Sequence, residues 1–396
     1  MKTKTAVLKG KPYAGDSICR FLLCLLLALL GVCWSCAAQE MPKDGKIKTG
    51  LYVGHGGRSN GAISWLLILN AAPEVELTLL DGADVRAGGL KDIDVLVMPG
   101  GSSPLQAKSL GPDGLEEVRR YLREGGRYFG TCAGCSLTAN RKGMLRLIPY
   151  VKRSVKVRRG STMLGMDFTP EGMAAFGLSV SNRNVCYHSG PLLTPTEPIP
   201  EVSNLRILAT FAGSIMQNGP VDFEMQGHPA IIHANYGKGV YLVTAYHPEY
   251  YPMTQDLIAG GFRLLTGRAI TINHPRRSSQ SRPVGYYTPG VMGKVSYAPV
   301  LELVANRNVD LHLVDNAMIE SGGLSHLESL ILPDGDATHY KTLLSKGFAH
   351  NALVDFVRQG GRVFAWGAGV GVAPPGAEQV KAERIVASVL EPASAR

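Results

Sequence analysis

From Thr49 onward the chain alternates short apolar runs that stop at glycine with longer stretches carrying apolar residues every three or four positions. "TGLYVGHGG" is an apolar run ending in glycines and predicts a strand and a turn. "AISWLLILNAA" has the length and spacing of a helix, while "VELTLLDG" and "IDVLVMPGG" predict two more strands. In "GLEEVRRYLREGG", Leu115, Val118, Tyr121 and Leu122 share one helical face, and the paired glycines stop the helix. "RYFG" and "VYLVTAYHPEY" complete the strands. Apolar strands that alternate with helices predict a parallel sheet covered on both faces. Such sheets collect their sites at the carboxyl ends of strands. "MPGG", "GTCAG" and "HPEY" each end a strand, so all three belong on one rim.

A polar, basic, proline-containing stretch, "INHPRRSSQSRPVG", reads as a linker, after which the pattern repeats. "VELTLLDGADVRAGGLKDIDVLVMPGG" at Val75 is echoed by "VDLHLVDNAMIESGGLSHLESLILPDG" at Val309. "EEVRRYLREGGRYFGTCAG" is echoed by "NALVDFVRQGGRVFAWGAG". The expected organisation is an N-terminal segment 1–38, a polar linker 39–48, a first lobe 49–268, a linker 269–285 and a shortened second lobe 286–396. Gly367 stands where the first copy has Cys132, and no counterpart of "YHPEY" follows. The second copy has therefore lost the side chains that carry chemistry and is left with packing, pairing or binding.

Composition changes the picture in two places. With 396 residues, 45% hydrophobic and 47 glycines, the chain is globular and suits many strand-to-helix turns. Lys2, Lys4, Lys9, Lys11 and Arg20 against Asp16 supply close to half of the formal net charge of +9. They precede the apolar run "FLLCLLLALLGVCWSCAAQE", the layout of a secretory signal with cleavage after Ala38; an uncleaved anchor and a lipoprotein are the alternatives. The protein is expected to be exported, periplasmic or extracellular, and to meet a membrane only if this segment is kept or lipidated. The mild positive charge of the remainder leans slightly toward an anionic partner, and no nucleic-acid partner is expected. "VKRSVKVRRG", with Lys152, Arg153, Lys156, Arg158 and Arg159, reads as a solvated strand face.

Of 7 cysteines, Cys19, Cys24, Cys33 and Cys36 fall in the N-terminal segment, leaving Cys132, Cys135 and Cys186. That is no disulfide framework. Cys132 sits where a strand turns into a helix. The turn exposes the sulfur, and the amides of the following helix favour thiolate. Gly130, Ala133 and Gly134 supply the small neighbours such a corner needs. A backbone amide of the Gly100-Gly101 turn can come close enough to serve as a second oxyanion donor, since glycine carries no β-carbon. His247 is the base and Glu249 the group that orients it. Cys132-Ala-Gly-Cys135 also reads as a redox CxxC pair. His55, Gly100, Ser102, Cys135, Cys186 and His188 are further candidates for the cleft. The remaining histidines show no metal-ligand spacing, so neither metal nor cofactor is expected.

"MPGG", "GTCAG" and "HPEY", in this order and spacing, resemble the class I glutamine amidotransferase-like (flavodoxin-like) fold. "GTCAG" and "CYHSGPLL" further resemble the biotin–protein ligase N-terminal domain family. The resemblance spans roughly Thr49 to Gly267 and implies Cys132 as nucleophile, His247 as base, Glu249 as the group that orients it, and the amides of Ala133 and Gly101 as the oxyanion hole. In glutaminases the elbow continues Leu-Gly-x-Gln, whereas Ala133-Gly134-Cys135-Ser136 stands here, and neither a synthase domain nor a biotin-transferring domain is visible. The expectation is an exported Cys-His-Glu hydrolase, an amidase or peptidase on γ-glutamyl-type or cell-envelope amide bonds in a small molecule or peptide. A non-enzymatic binding protein with this fold, and a CxxC thiol oxidoreductase, are the alternatives. Oligomeric state is not legible.

Overall fold

The apolar runs pair into one large sheet. In this computed structural model, residues 45–152, 161–213, 225–273 and 281–391 are described, apart from 289, 291, 293, 307, 345 and 346. The expected signal segment, the basic residues 153–159 and residues 274–280 of the second linker lie outside the described residues. In chain order the first lobe has β1 (Ile47–Tyr52), β2 (Val75–Leu80), β3 (Val95–Met98), β4 (Arg127–Thr131), β5 (Tyr150–Lys152), β6 (Ser161–Phe168), β7 (Asn182–His188), β8 (Leu193–Pro195), β9 (Val202–Phe211), β10 (Pro229–Tyr236) and β11 (Gly239–Thr244). Nine of them form a sheet in the order β2-β1-β3-β4-β11-β10-β9-β6-β7, while β5 and β8 pair separately.

The run β2-β1-β3-β4-β11 is parallel, as the alternation of strands and helices predicts. β3, β4 and β11 are buried along their whole length. Their residues alternate between the two covered faces. Tyr128 packs with Leu115, Val118 and Leu122 of the helix Ser103–Arg123. Phe129 faces the other way, its ring 5.1 Å from Trp65 and 6.1 Å from Phe262. The parallel run ends at β11, and beyond it β10, β9, β6 and β7 are antiparallel. The reason is chain length between strands. β10 and β11 are joined by a tight turn at Gly237 and Lys238, too short for the crossover that a parallel pair needs.

The second lobe has β12 (Arg282–Tyr287), β13 (Val309–Val314), β14 (Ser329–Leu332), β15 (Arg362–Ala365) and β16 (Glu378–Gln379), all parallel, in the order β13-β12-β14-β15-β16. This matches the order of β2-β1-β3-β4 and is compatible with a shortened copy. β12 begins at Arg282, so residues 282–285 of the expected linker are strand; proline and arginine at its start gave it the look of a loop. The residues ahead of the gap are held too: Thr271 bonds the Glu74 carboxylate through N and Oγ1, at 2.9 and 2.6 Å. Residues 41–396 pack as one unit. Between the lobes, Ser59 N donates to Gly290 O at 2.9 Å, and Lys294 Nζ reaches Asp84 Oδ2 at 2.5 Å.

Candidate active site

β3, β4 and β11 are neighbours and run the same way, so the turns that follow them share one edge. At the end of β4 the chain turns sharply. Cys132 has φ 49° and ψ −99°, followed by the short helix Ala133–Leu137. A positive φ in a residue with a side chain costs on the order of 1–3 kcal/mol and must be held by its surroundings. Here Cys132 N donates to Thr244 O and Ser136 N donates to Cys132 O, both at 2.9 Å. The residue is 7% exposed. Its thiol donates to the carbonyl oxygen of His188 at 3.7 Å.

His247 follows β11 closely, and its backbone N donates to Cys186 O at 2.9 Å. Its Nδ1 lies 2.8 Å from Glu249 Oε1, with both side chains buried. A carboxylate accepts, so Nδ1 carries the proton and Nε2 is left for the sulfur. Nε2 falls short of a full hydrogen bond, and Cys132 is the group that acts on it. Burial pushes the ring toward neutrality, but the charges of Cys132 and Glu249 and their hydrogen bonds outweigh this and lift it to about 10. The ring is further fixed by Tyr250, stacked on it at 4.3 Å and 5°, whose hydroxyl donates to Asn60 Oδ1 at 3.2 Å. Gly100 packs against the Cε1 side of the ring: a β-carbon there would sit 2.3 Å from His247 Cε1.

The Pro99-Gly100-Gly101 turn meets the loop after β1 through an isolated bridge between Gly57 and Gly101. Ser102 N donates to Gly56 O and Arg58 N donates to Gly100 O, both at 2.8 Å, so the bridge bonds flank Gly101 and do not use its own N–H. Ala133 is the first residue of its helix, where an N–H has no partner inside the helix. The second lobe offers a comparison. At the aligned corner Gly367 has φ 55°, and Ala368 N donates to Asp334 Oδ1 at 2.8 Å. Asp334 aligns with Gly100, so a carboxylate there takes the amide that corresponds to Ala133's.

The other candidates separate clearly. Cys135 is fully buried in the cluster of Met98, Tyr128, Leu137 and Tyr241. Cys186 is buried, and its thiol is pushed up to about 12, by burial first and then by the charges of Glu249 and Cys132. None of the three described cysteines is in a disulfide. His188 borders the site, its ring 6.1 Å from that of His247. His55 is exposed and lines a cavity of about 580 Å³ between the lobes with Asp81, Arg86, Lys294 and Asp334; Cys132 and His247 do not line it. The sequence reading missed Arg58, Asn60 and Tyr250. Tyr250 stands beside Glu249 and Arg58 follows "GHGG", but their contacts depend on strand order, which the motifs do not carry.

Residues 90–143 match the family model described as "Biotin-protein ligase, N terminal". The chain is 33% identical over 175 residues to the pyridoxal 5'-phosphate synthase subunit PdxT of Listeria welshimeri, covering 40% of this chain and 73% of that protein. It is 31% identical over 168 residues to the PdxT of Methanoculleus marisnigri, covering 41% and 72%. Similar solved structures include a glutamine amidotransferase (17% identity, TM-score 0.39, 55% of this chain and 98% of that one). A ThuA-like protein from Bacteroides uniformis is another (15% identity, TM-score 0.43, 59% and 96%). The chain belongs to the family of class I glutamine amidotransferases that includes the PdxT subunits.

Proposed function

We propose that the first lobe is a cysteine-dependent amide hydrolase, with Cys132 as nucleophile, His247 as general acid and base, and Glu249 as the residue that orients His247. The observation that carries this reading is the buried row itself. Glu249 fixes the imidazole through Nδ1 and leaves Nε2 to the sulfur of a strained strand-to-helix corner. The thiolate of Cys132 attacks the amide carbonyl carbon and forms a C–S bond. The carbonyl oxygen takes the negative charge, held by the amides of Ala133 and Gly101. The leaving nitrogen takes the proton from His247 Nε2 as the C–N bond breaks, and the amine departs from a thioester. Water, deprotonated by the now neutral His247, cleaves the thioester to a carboxylate and restores the thiolate. The bond from Ala368 N to the Asp334 carboxylate supports the hole, since the aligned amide binds an oxygen anion in the same molecule.

The substrate class proposed is a γ-glutamyl-type or cell-envelope amide, met outside the cytoplasm because the N-terminal sequence reads as an export signal. The test is hydrolysis of γ-glutamyl-p-nitroanilide and of peptidoglycan stem peptides, with intact-mass detection of a thioester. Acyl transfer to Cys132, lost in Cys132→Ala, supports the reading. Hydrolysis that survives Cys132→Ala overturns it.

A further inference from the structure

The chemistry above gives Arg58 no role, yet Arg58 is placed with some care. It follows the glycine turn after β1, and its backbone N is anchored on Gly100 O, the residue packed against His247. Its exposed side chain puts Nη1 2.9 Å from His188 Nε2. A guanidinium only donates, so His188 must accept through Nε2 and be neutral. Burial, Arg58 and His247 together push His188 down to about 4, which agrees. Other arginines of this lobe, among them Arg119, Arg120, Arg183 and Arg206, are in ion pairs with carboxylates. Among the described residues none pairs with Arg58. Asp315 of the second lobe acts on His188, but its Oδ1 accepts from Met318 N at 2.9 Å.

His188 therefore joins two things. Its carbonyl oxygen receives the Cys132 thiol and its ring holds Arg58. A neutral imidazole orients a cation without cancelling its charge, whereas a carboxylate in its place would cancel it. The result is an exposed, oriented guanidinium, held in no ion pair among the described residues, one residue away from the sulfur. We propose that Arg58, held by His188, is the specificity-determining residue of this site and binds a carboxylate carried by the amide substrate beside the scissile bond. This rests on Cys132 being the reactive thiolate. A planar guanidinium suits a carboxylate because two parallel N–H bonds match its two oxygens.

The experiment compares two alkylating agents, iodoacetate and iodoacetamide, that differ only in a carboxylate for an amide. In both, the Cys132 sulfur displaces iodide, so that a C–S bond forms as the C–I bond breaks. Rates are read at the Cys132 peptide by mass spectrometry, and the iodoacetate-to-iodoacetamide ratio is compared with that of N-acetylcysteine. The ratio divides out changes in intrinsic thiol reactivity. The expected result is a ratio about tenfold or more above that of N-acetylcysteine, the size of one charge-assisted hydrogen bond. In Arg58→Ala it should fall to that of the free thiol, and in Arg58→Lys part of it should remain. A wild-type ratio equal to that of N-acetylcysteine, or one kept in Arg58→Ala, overturns the inference while leaving the nucleophile in place. If neither reagent labels Cys132, the thiolate reading fails and this inference with it.

Discussion

Gly100→Ala is the sharpest perturbation of the site, because it adds one methyl group and changes nothing else. Gly100 does not have a positive φ, so alanine fits the backbone. The new β-carbon lands 2.3 Å from His247 Cε1. Carbon atoms in contact sit about 3.5–4.0 Å apart, so the ring must move by roughly an ångström or more. It has no easy way to do so. Tyr250 is stacked on it at 4.3 Å, Nδ1 is tied to Glu249 at 2.8 Å, and the residue is 1% exposed. Moving the ring stretches a bond to a charged group worth about 1.5–3 kcal/mol. A displacement of about 1 Å in a catalytic arrangement costs on the order of 100-fold in rate. Overpacking should cost about 1–3 kcal/mol of stability, leaving a folded protein. The assay is the rate of Cys132 alkylation by iodoacetamide at neutral pH, beside a thermal melt. Gly213→Ala, whose β-carbon meets nothing within 4 Å, serves as control. A Gly100→Ala protein that is alkylated at the wild-type rate would refute the claim that His247 acts on the sulfur from this position.

Glu249→Gln keeps the shape but removes the buried charge; alkylation of Cys132 should slow on the order of 10- to 100-fold with no loss of melting temperature. A wild-type rate would remove Glu249 from the unit. Gly367→Ala places a β-carbon 2.2 Å from Asp334 Oδ1 at φ 55°; it should destabilise the protein by about 1–3 kcal/mol in urea melts and leave Cys132 alkylation unchanged. His233, buried beside the Arg206 guanidinium, is pushed from 6.5 to about 4, by burial first and then by that charge. Its folded value lies below its unfolded one, so its contribution is complete above pH 6.5 and is lost as pH falls toward about 4, amounting to on the order of 3 kcal/mol at most. Urea melts across that window should show the loss, and His233→Gln should flatten it.

The parallel half of the first sheet was legible because β1, β3, β4 and β11 are apolar runs ended by glycine or by the "YHPEY" turn. Where β3, β4 and β11 end together, the sequence could place Cys132, His247 and the Gly100-Gly101 turn on one rim. The antiparallel half was not legible. β6, β7 and β9 are partly exposed, mixed strands with no single apolar signature. That half decides what else reaches the site. β7 is at the far end of the sheet, yet the chain after it returns to the rim, where a β-carbon on Gly190 would sit 1.9 Å from Ala245 O. This return brings His188 to the sulfur and to Arg58. The Arg58–His188 contact spans 130 residues and leaves no periodicity in either partner. The strand order of the second lobe is compatible with the shortened copy expected from the sequence, and Gly367, aligned with Cys132, has a positive φ as Cys132 does.

The central claim is that Cys132 works with His247 as a thiolate nucleophile, apart from Cys135. The measurement that tests it most directly is peptide-level mass spectrometry of the native protein, prepared without reductant and pulsed with iodoacetamide at neutral pH. The account predicts that Cys132 is labelled faster than N-acetylcysteine, that the buried Cys135 and Cys186 are labelled far more slowly, that His247→Ala slows Cys132, and that Cys135→Ser does not. A stoichiometric Cys132–Cys135 disulfide, or labelling of Cys132 at a rate indifferent to His247, would contradict it.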